Sequence, residues 1–429
     1  MANTLQAPLQ NASNPLDVVR TEVARELARL TGLDPAFLFT ALDRSSSADK
    51  GDLILAVPRL RIKNSAGRET PPGLAVRLAS EFQVSNCPKV QQPVADGINI
   101  QFHLNPKTLP DLVLSTLFQQ GEEYGLDPSL GQRDPLDSKA GKKTVIVEFS
   151  SPNIAKEFHL GHLRSTIIGA FLANLYEGNG YNVVRMNYLG DWGRQFGLLA
   201  VGWHRYGDAD AFARDPIREL FRVYVKISRD LKPEEAAYKE AKKAGQDTAV
   251  LEAQGLLGES KAYFKRMEDG DEEALALWRQ FRSLSIERYK ATYARLNIEF
   301  SVYSGESEVK KETMERLLEL LENRGVTEQD GGATIINFEK HGAKKLGTAI
   351  LKNRFGASTY LLRDLGAAVQ RAEEYHFDEM LYVVMSEQEG HLKWLFKTME
   401  LMGGPYADIS KNMKHISFGK VSIYYRTHC

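Results

Sequence analysis

The stretch that most limits the fold is 144–196, TVIVEFSSPNIAKEFHLGHLRSTIIGAFLANLYEGNGYNVVRMNYLGDWGRQF. Thr144 to Phe149 is a β-branched, apolar run, and Leu163, Ile167, Phe171, Leu172 and Leu175 recur at helical spacing as far as Tyr176. A second strand is expected over Asn182 to Tyr188. Strand, helix and strand in that order predict parallel pairing. His159-Leu160-Gly161-His162 then falls between the first strand and the helix, at the carboxyl edge where α/β sheets bind ligands. Unpaired backbone donors and the helix dipole favour anions there, phosphates above all. Gly161 lets the backbone approach closely, and His159 and His162 supply donors to oxygens that gain charge during a reaction. The same four residues in an ordinary loop would mean nothing; their setting is the argument.

EFSSPNIAKEFHLGHLRST, followed by RMNYLGDWGRQFG, resembles the catalytic signature of the class I arginyl-tRNA synthetases, with HLGH standing where that class carries HIGH. The resemblance runs from the amino-terminal region to about Val421. It implies a two-step reaction. Arginine and ATP give arginyl-adenylate and pyrophosphate, and the acyl group then passes to the terminal ribose of the arginine tRNA. It also implies that His159, Gly161, His162 and Lys156 meet ATP, with His159, His162 and Lys156 in catalytic roles. Mg²⁺ accompanies the ATP; no dedicated metal cage or zinc-ligand pattern is read in the chain.

The full length of 429 residues predicts two to three domains. With 55 basic and 56 acidic side chains, the net charge of -1 offers no global attraction to RNA, so any such contact rests on local patches. Two cysteines, Cys87 and Cys429, fit a reducing compartment. The first nineteen residues hold no Lys or Arg, and no apolar run reaches the length of a membrane span. A cytoplasmic protein without membrane contact is expected.

Asn14-Pro15 reads as a helix start, with Leu16, Val19, Val23, Leu27 and Leu30 on one face up to Gly32. A strand is expected over Asp52 to Val57, a helix over Gly73 to Phe82, and an alternating strand through Ile98, Ile100, Phe102 and Leu104, with a further helix in Pro106 to Gln120. Residues 1–120 thus form a small α+β domain, and 121–143, rich in Gly, Pro, Asp and Lys, form a linker. Residues 144–429 are expected to be a Rossmann-type, doubly wound α/β domain with a charged helical insertion over about 216–296 that packs through Leu277, Trp278, Phe281 and Leu284. Lys239, Lys242 and Lys243 in that insertion read as solubilising. Its second half is expected to use Ala333–Phe338, Gly347–Lys352 and Leu381–Met385 as parallel strands, with helices at Lys310–Asn323, Thr359–Tyr375 and His391–Met402.

In TYLLRDLGAA, Tyr360 and Asp364 are four apart and share a helix face. An ionised Asp in a cleft suits a planar guanidinium, and Tyr360 adds a hydroxyl or a ring face. Taken alone, Asp364 beside Arg363 reads instead as a surface ion pair. SEQEGH supplies Gln388 from the end of a strand. The family resemblance implies an arginine pocket of Glu148, Ser151, Asn153, His162, Tyr360, Asp364 and Gln388. It also implies a tRNA contact at Asn105 in the first domain, where the plain alternative is a turn Asn before Pro106.

The sequence departs from the family after HISFGKV: no KMSKS-like loop and no anticodon-binding helical domain follow, and Arg354-Phe355 stands where a Lys-Asp turn is usual. A carboxyl-terminally truncated synthetase with impaired charging is expected. The rival readings are a non-catalytic arginine- or nucleotide-binding module that senses arginine or joins a synthetase assembly, and a nucleotidyltransferase of the same fold acting on another small acid.

Overall fold

The computed structural model describes residues 14–62, 70–134, 137–154, 158–354 and 356–420. The chain divides into two compact units, residues 1–141 with 178–180, and residues 142–177 with 181–429.

The first unit holds helices α1 (Pro15–Thr31), α2 (Pro35–Ala41), α3 (Pro71–Glu81) and α4 (Leu109–Gln120), and strands β1 (Leu42–Arg44), β2 (Leu53–Ala56), β3 (Val94–Asp96) and β4 (Asn99–Phe102). α1 starts as its sequence requires: the Asn14 side chain accepts from the Leu16 amide at 2.9 Å, Pro15 needs no hydrogen-bond partner at its nitrogen, and left-handed Gly32 ends it. The strands form one antiparallel sheet in the order β1-β2-β4-β3. Val19, Val23, Leu27, Leu55, Leu78, Ile100 and Phe102 fill the core between sheet and helices. The expected alternation around Ile100 holds only in part. Ile98 lies outside the strand and is exposed, whereas Gln101 on the opposite face is buried and donates to Asp96.

The second unit is built on a five-stranded parallel sheet ordered β12-β11-β5-β6-β7. Its strands are β5 (Thr144–Glu148), β6 (Asn182–Leu189), β7 (Val302–Gly305), β11 (Glu379–Met385) and β12 (Met413–Phe418). Helix α5 (Leu160–Gly178) links β5 to β6. Between β6 and β7 come helices α6 (Arg194–Tyr206), α7 (Ala209–Arg214), α8 (Pro216–Lys243), α9 (Ala249–Ala253), α10 (Gly255–Glu268) and α11 (Glu272–Ala294). These share their own core of Leu199, Leu220, Ile227, Leu257, Phe281 and Tyr293. The chain builds outward from β5 in one direction and returns to its other side with β11, so the sequence order reverses at β5. A ligand crevice is expected where the neighbouring carboxyl ends part.

Two expectations for this unit fail. Ala333–Phe338 and Gly347–Lys352 do not join the parallel sheet. As β9 (Ala333–Asn337) and β10 (Thr348–Lys352) they pair antiparallel with each other, and β8 (Glu328–Asp330) completes a separate three-stranded sheet. Only residues 338–347 join β9 to β10, too few for the crossover that parallel pairing needs. The parallel sheet is completed instead by β7 and β12, which the sequence pattern does not reveal as strands.

The apolar stripe of α5 also fails to face the core. Ile167, Phe171 and Leu175 are exposed, and the buried side is Ser165, Thr166, Gly169 and Ala173. Small residues let this helix lie close on the sheet: a Cβ at Gly169 would fall 2.2 Å from Cγ of Phe149. Helices α12 (Lys311–Asn323), α13 (Tyr360–Tyr375), α14 (Glu389–Met402) and α15 (Pro405–Lys411) complete the unit.

Candidate active site

The chain leaves β5 by a sharp turn. Ser150 (φ 69°) and Ser151 (φ 44°) are both left-handed, a conformation that side chains adopt only when the surroundings hold them there. Here the Ser150 amide donates to Ser165 Oγ at 2.8 Å, and Ser165 Oγ donates to the Val383 carbonyl at 2.6 Å. Ser150 Oγ lies 2.7 Å from the Tyr293 hydroxyl, and Ser151 Oγ accepts from the Tyr188 amide at 3.2 Å. The turn brings Asn153 beside Gly190 in a parallel bridge, so close that a Cβ on Gly190 would meet Asn153 Oδ1 at 2.5 Å.

The histidine motif caps the next helix. His159 accepts the Leu163 amide through its carbonyl at 3.0 Å, and its Nδ1 takes the Gly161 amide at 3.1 Å. α5 therefore begins at Leu160, three residues before the expected start, and places Gly161 and His162 in its first turn. The His159 and His162 rings stack at 3.7 Å between centroids. Lys156 lies outside the described residues.

A cavity of about 370 Å³ opens near the carboxyl ends of the sheet, within the range of about 300–1,000 Å³ usual for small-molecule sites. Asn153, Tyr360, Asp364 and Gln388 all line it. They come from the loop after β5, the first turns of α13 and the turn after β11. Tyr360 and Asp364 do share a helix face, as their spacing requires. Arg363 does not pair with Asp364, because adjacent helical residues point apart. Arg363 is buried, and its guanidinium donates to Glu268 and to the Glu306 carbonyl. Asp364 Oδ2 instead meets Nε2 of His391 at 2.6 Å.

Glu148 sits elsewhere than a cavity wall. It is buried, and its Oε2 accepts from Nη1 of Arg371 at 2.5 Å, while the Arg371 guanidinium also lies 4.5 Å from the Tyr188 ring. Burial pushes the Glu148 carboxyl up and the Arg371 charge opposes that. Ser151 and His162 are likewise absent from the cavity lining. His159 lines a neighbouring cavity of about 570 Å³ with Phe158, Phe221, Arg229 and Lys232. Tyr224 lines both spaces, so the cavity with His159 adjoins the one with Tyr360 and Asp364. In the first unit, Asn105 is a turn residue. Its Nδ2 donates to the Pro88 carbonyl and its Oδ1 accepts the Lys107 amide.

Glu306 and His391 are among the lining residues that sequence reasoning missed. Glu306 follows β7, a strand too short to show in the pattern; recognising YSGESE as the end of a parallel strand would have placed it at the carboxyl edge. Burial, then the Asp364 and Asp191 carboxylates, push the Glu306 carboxyl up to about 8 against the pull of Arg363. His391 lies within SEQEGH, three residues beyond Gln388, and the position at the start of a helix was the available signal.

Residues 129–424 match the family model described as tRNA synthetases class I (R), catalytic domain. The chain belongs to this class I synthetase family. It is 46% identical over 408 residues to the cytoplasmic arginine–tRNA ligase of Saccharomyces cerevisiae, covering 95% of this chain and 62% of that protein. It is 44% identical over 417 residues to the probable cytoplasmic arginine–tRNA ligase of Schizosaccharomyces pombe, covering 95% and 63%. The chain therefore spans a little over three fifths of the length of these relatives. The fold agrees with that of the arginyl-tRNA synthetase from Plasmodium falciparum, with a TM-score of 0.66 at 20% identity over 94% of this chain and 64% of that one.

In this chain the aspartate of the DWG segment ties two elements together. Asp191 is fully buried and accepts from Arg282 Nε at 2.6 Å and from Ser307 through its amide and hydroxyl. This ties the end of β6 to the Glu306 turn. Trp192 beside it reaches the cavity.

Proposed function

We propose that the chain activates L-arginine with ATP and transfers it to its tRNA. The observation that carries this reading is the convergence of Asn153, Tyr360, Asp364 and Gln388 on one cavity, in a chain of this family. Asp364 supplies a carboxylate for the guanidinium, and Glu306 adds a second acceptor once it gives up its proton. Tyr360 and Gln388 add hydrogen bonds. Asn153 donates to the arginine carboxylate, and Glu148, held by Arg371, braces the strand end from which the Asn153 loop departs.

One oxygen of the arginine carboxylate attacks the α-phosphorus of ATP, the bond to the β-phosphate oxygen breaks, and pyrophosphate leaves. Mg²⁺ arrives with the phosphates as part of that substrate. The first turn of α5, with Gly161 and His162, and His159 just before it face the growing phosphate charge, and Lys156 adds a cation. Such fixed donors act mainly by positioning and charge stabilisation. A ribose hydroxyl of the tRNA terminus then attacks the arginyl carbonyl and AMP departs. The first unit contacts the tRNA, with Asn105 on its surface loop. The names of the two yeast relatives support a cytoplasmic setting.

Pyrophosphate exchange with arginine and tRNA, run beside calorimetry with arginine alone, tests this reading. Exchange is the expected result; binding without exchange would favour a sensing module. Asp364→Asn is expected to lower arginine affinity by at least about a hundredfold, since a charged partner is lost in an enclosed site. Far-ultraviolet circular dichroism should be unchanged.

A further inference from the structure

Asp364 carries one side-chain hydrogen bond among the described residues, from His391. The nearby cations are spent elsewhere: Arg363 on Glu268 and a carbonyl, Arg371 on Glu148. His391 stands in the first turn of α14, three residues after Gln388, and lines the same cavity as Asp364 and Glu306. Both partners are partly enclosed, with 23% and 29% of their side-chain surfaces exposed.

A guanidinium differs from an ammonium in what it asks of a carboxylate. It is planar, and its donors form a fixed fork, so it gains fully only from a carboxylate held in one plane; an ammonium is a point charge with rotating donors. An aspartate at the start of a helix turns freely about its terminal torsion unless something holds it. We infer that His391 is a specificity-determining, positioning residue of the amino-acid pocket: by holding Oδ2 of Asp364 it fixes the carboxylate plane, so that the pocket favours a guanidinium over the ammonium of lysine. The inference rests on the arginine reading given above. It assigns His391 no part in the chemistry of the phosphate.

The test measures arginine and lysine binding by calorimetry on the 429-residue chain and on two variants. His391→Ala removes the donor. It is expected to weaken arginine on the order of tenfold, the scale of one hydrogen bond to a charged group, and to change lysine by less than about threefold. The arginine-to-lysine preference therefore falls. His391→Gln keeps an N–H donor of similar reach and is expected to recover most of that preference. A merely structural histidine would weaken both ligands alike or shift only the unfolding temperature. An unchanged ratio in His391→Ala, or no recovery in His391→Gln, overturns the inference. If the parent chain binds no arginine, or Asp364→Asn binds it undiminished, the arginine reading itself fails. If the parent binds, Asp364→Asn does not, and the ratio still ignores His391, the inference alone fails.

Discussion

At the end of β5, Glu148 is 5% exposed and locked to Arg371. Two turns before Arg371 on the same helix, Asp364 opens into the cavity and its Oδ2 meets a histidine nitrogen. The motifs suggest one pocket for both carboxylates, and the fold uses them differently. Glu148 is part of the framework, a buried charge whose cost is offset by a partner from α13. Asp364 lines the cavity, with only its Oδ2 engaged by a side chain among the described residues, His391. A carboxylate in a motif is therefore legible as a charge, while its role depends on which counter-charge the fold brings to it.

The largest effect that would sharpen this contrast is on stability. Arg371→Met leaves Glu148 buried without its partner and is expected to cost roughly 3–5 kcal/mol, read from the denaturant midpoint. The double change Glu148→Leu with Arg371→Met should recover much of that loss. Asp364→Asn should leave the midpoint nearly unmoved. An equal loss at both positions would break the distinction.

Glu306 gives the next largest signal, with opposite signs in two measurements. Its raised carboxyl, at about 8, holds a proton more tightly folded than unfolded. Its share of stability is thus present below the ordinary carboxyl range and lost as pH rises to about 8. Arginine binding runs the other way, because a guanidinium needs the ionised form: affinity should climb with pH toward about 8, by at most about tenfold per pH unit. Glu306→Gln should flatten both trends. Calorimetry and denaturant titration at several pH values decide this.

The smallest effect lies on the wall that Asn153 forms. Gly190→Ala puts a methyl group 2.5 Å from Asn153 Oδ1, so the amide must move. Arginine binding is expected to weaken by less than about tenfold, with little change in the unfolding midpoint. A large stability loss instead would make Asn153 framework, like Glu148.

Much of this is legible without any coordinates. The β5–α5–β6 order, the helix start at Asn14-Pro15 and the Tyr360–Asp364 face follow from local rules of spacing and capping and are found, although α5 starts three residues earlier than its periodicity suggests. The failures share a cause. Ala333–Asn337 and Thr348–Lys352 are β-rich, but β-propensity says nothing about the partner strand, and the short connection makes them a hairpin. β7 spans four residues, too short for periodicity to register, and with it goes Glu306. The α5 stripe of Ile167, Phe171 and Leu175 resembles a core face; contact with Phe149 selects the side carrying Gly169 and Ala173.

Sequence alone determined the family, the parallel βαβ start and four of the polar groups that line the cavity, because motifs and helical spacing depend on neighbours a few residues apart. Tertiary structure decided which charges are neutralised and which stay available. Arg371 reaches Glu148 across 223 positions and His391 reaches Asp364 across 27, pairings that no local periodicity encodes. The energy of a charge is set by its distance to the opposite charge and by exclusion of water, and both are properties of the folded chain.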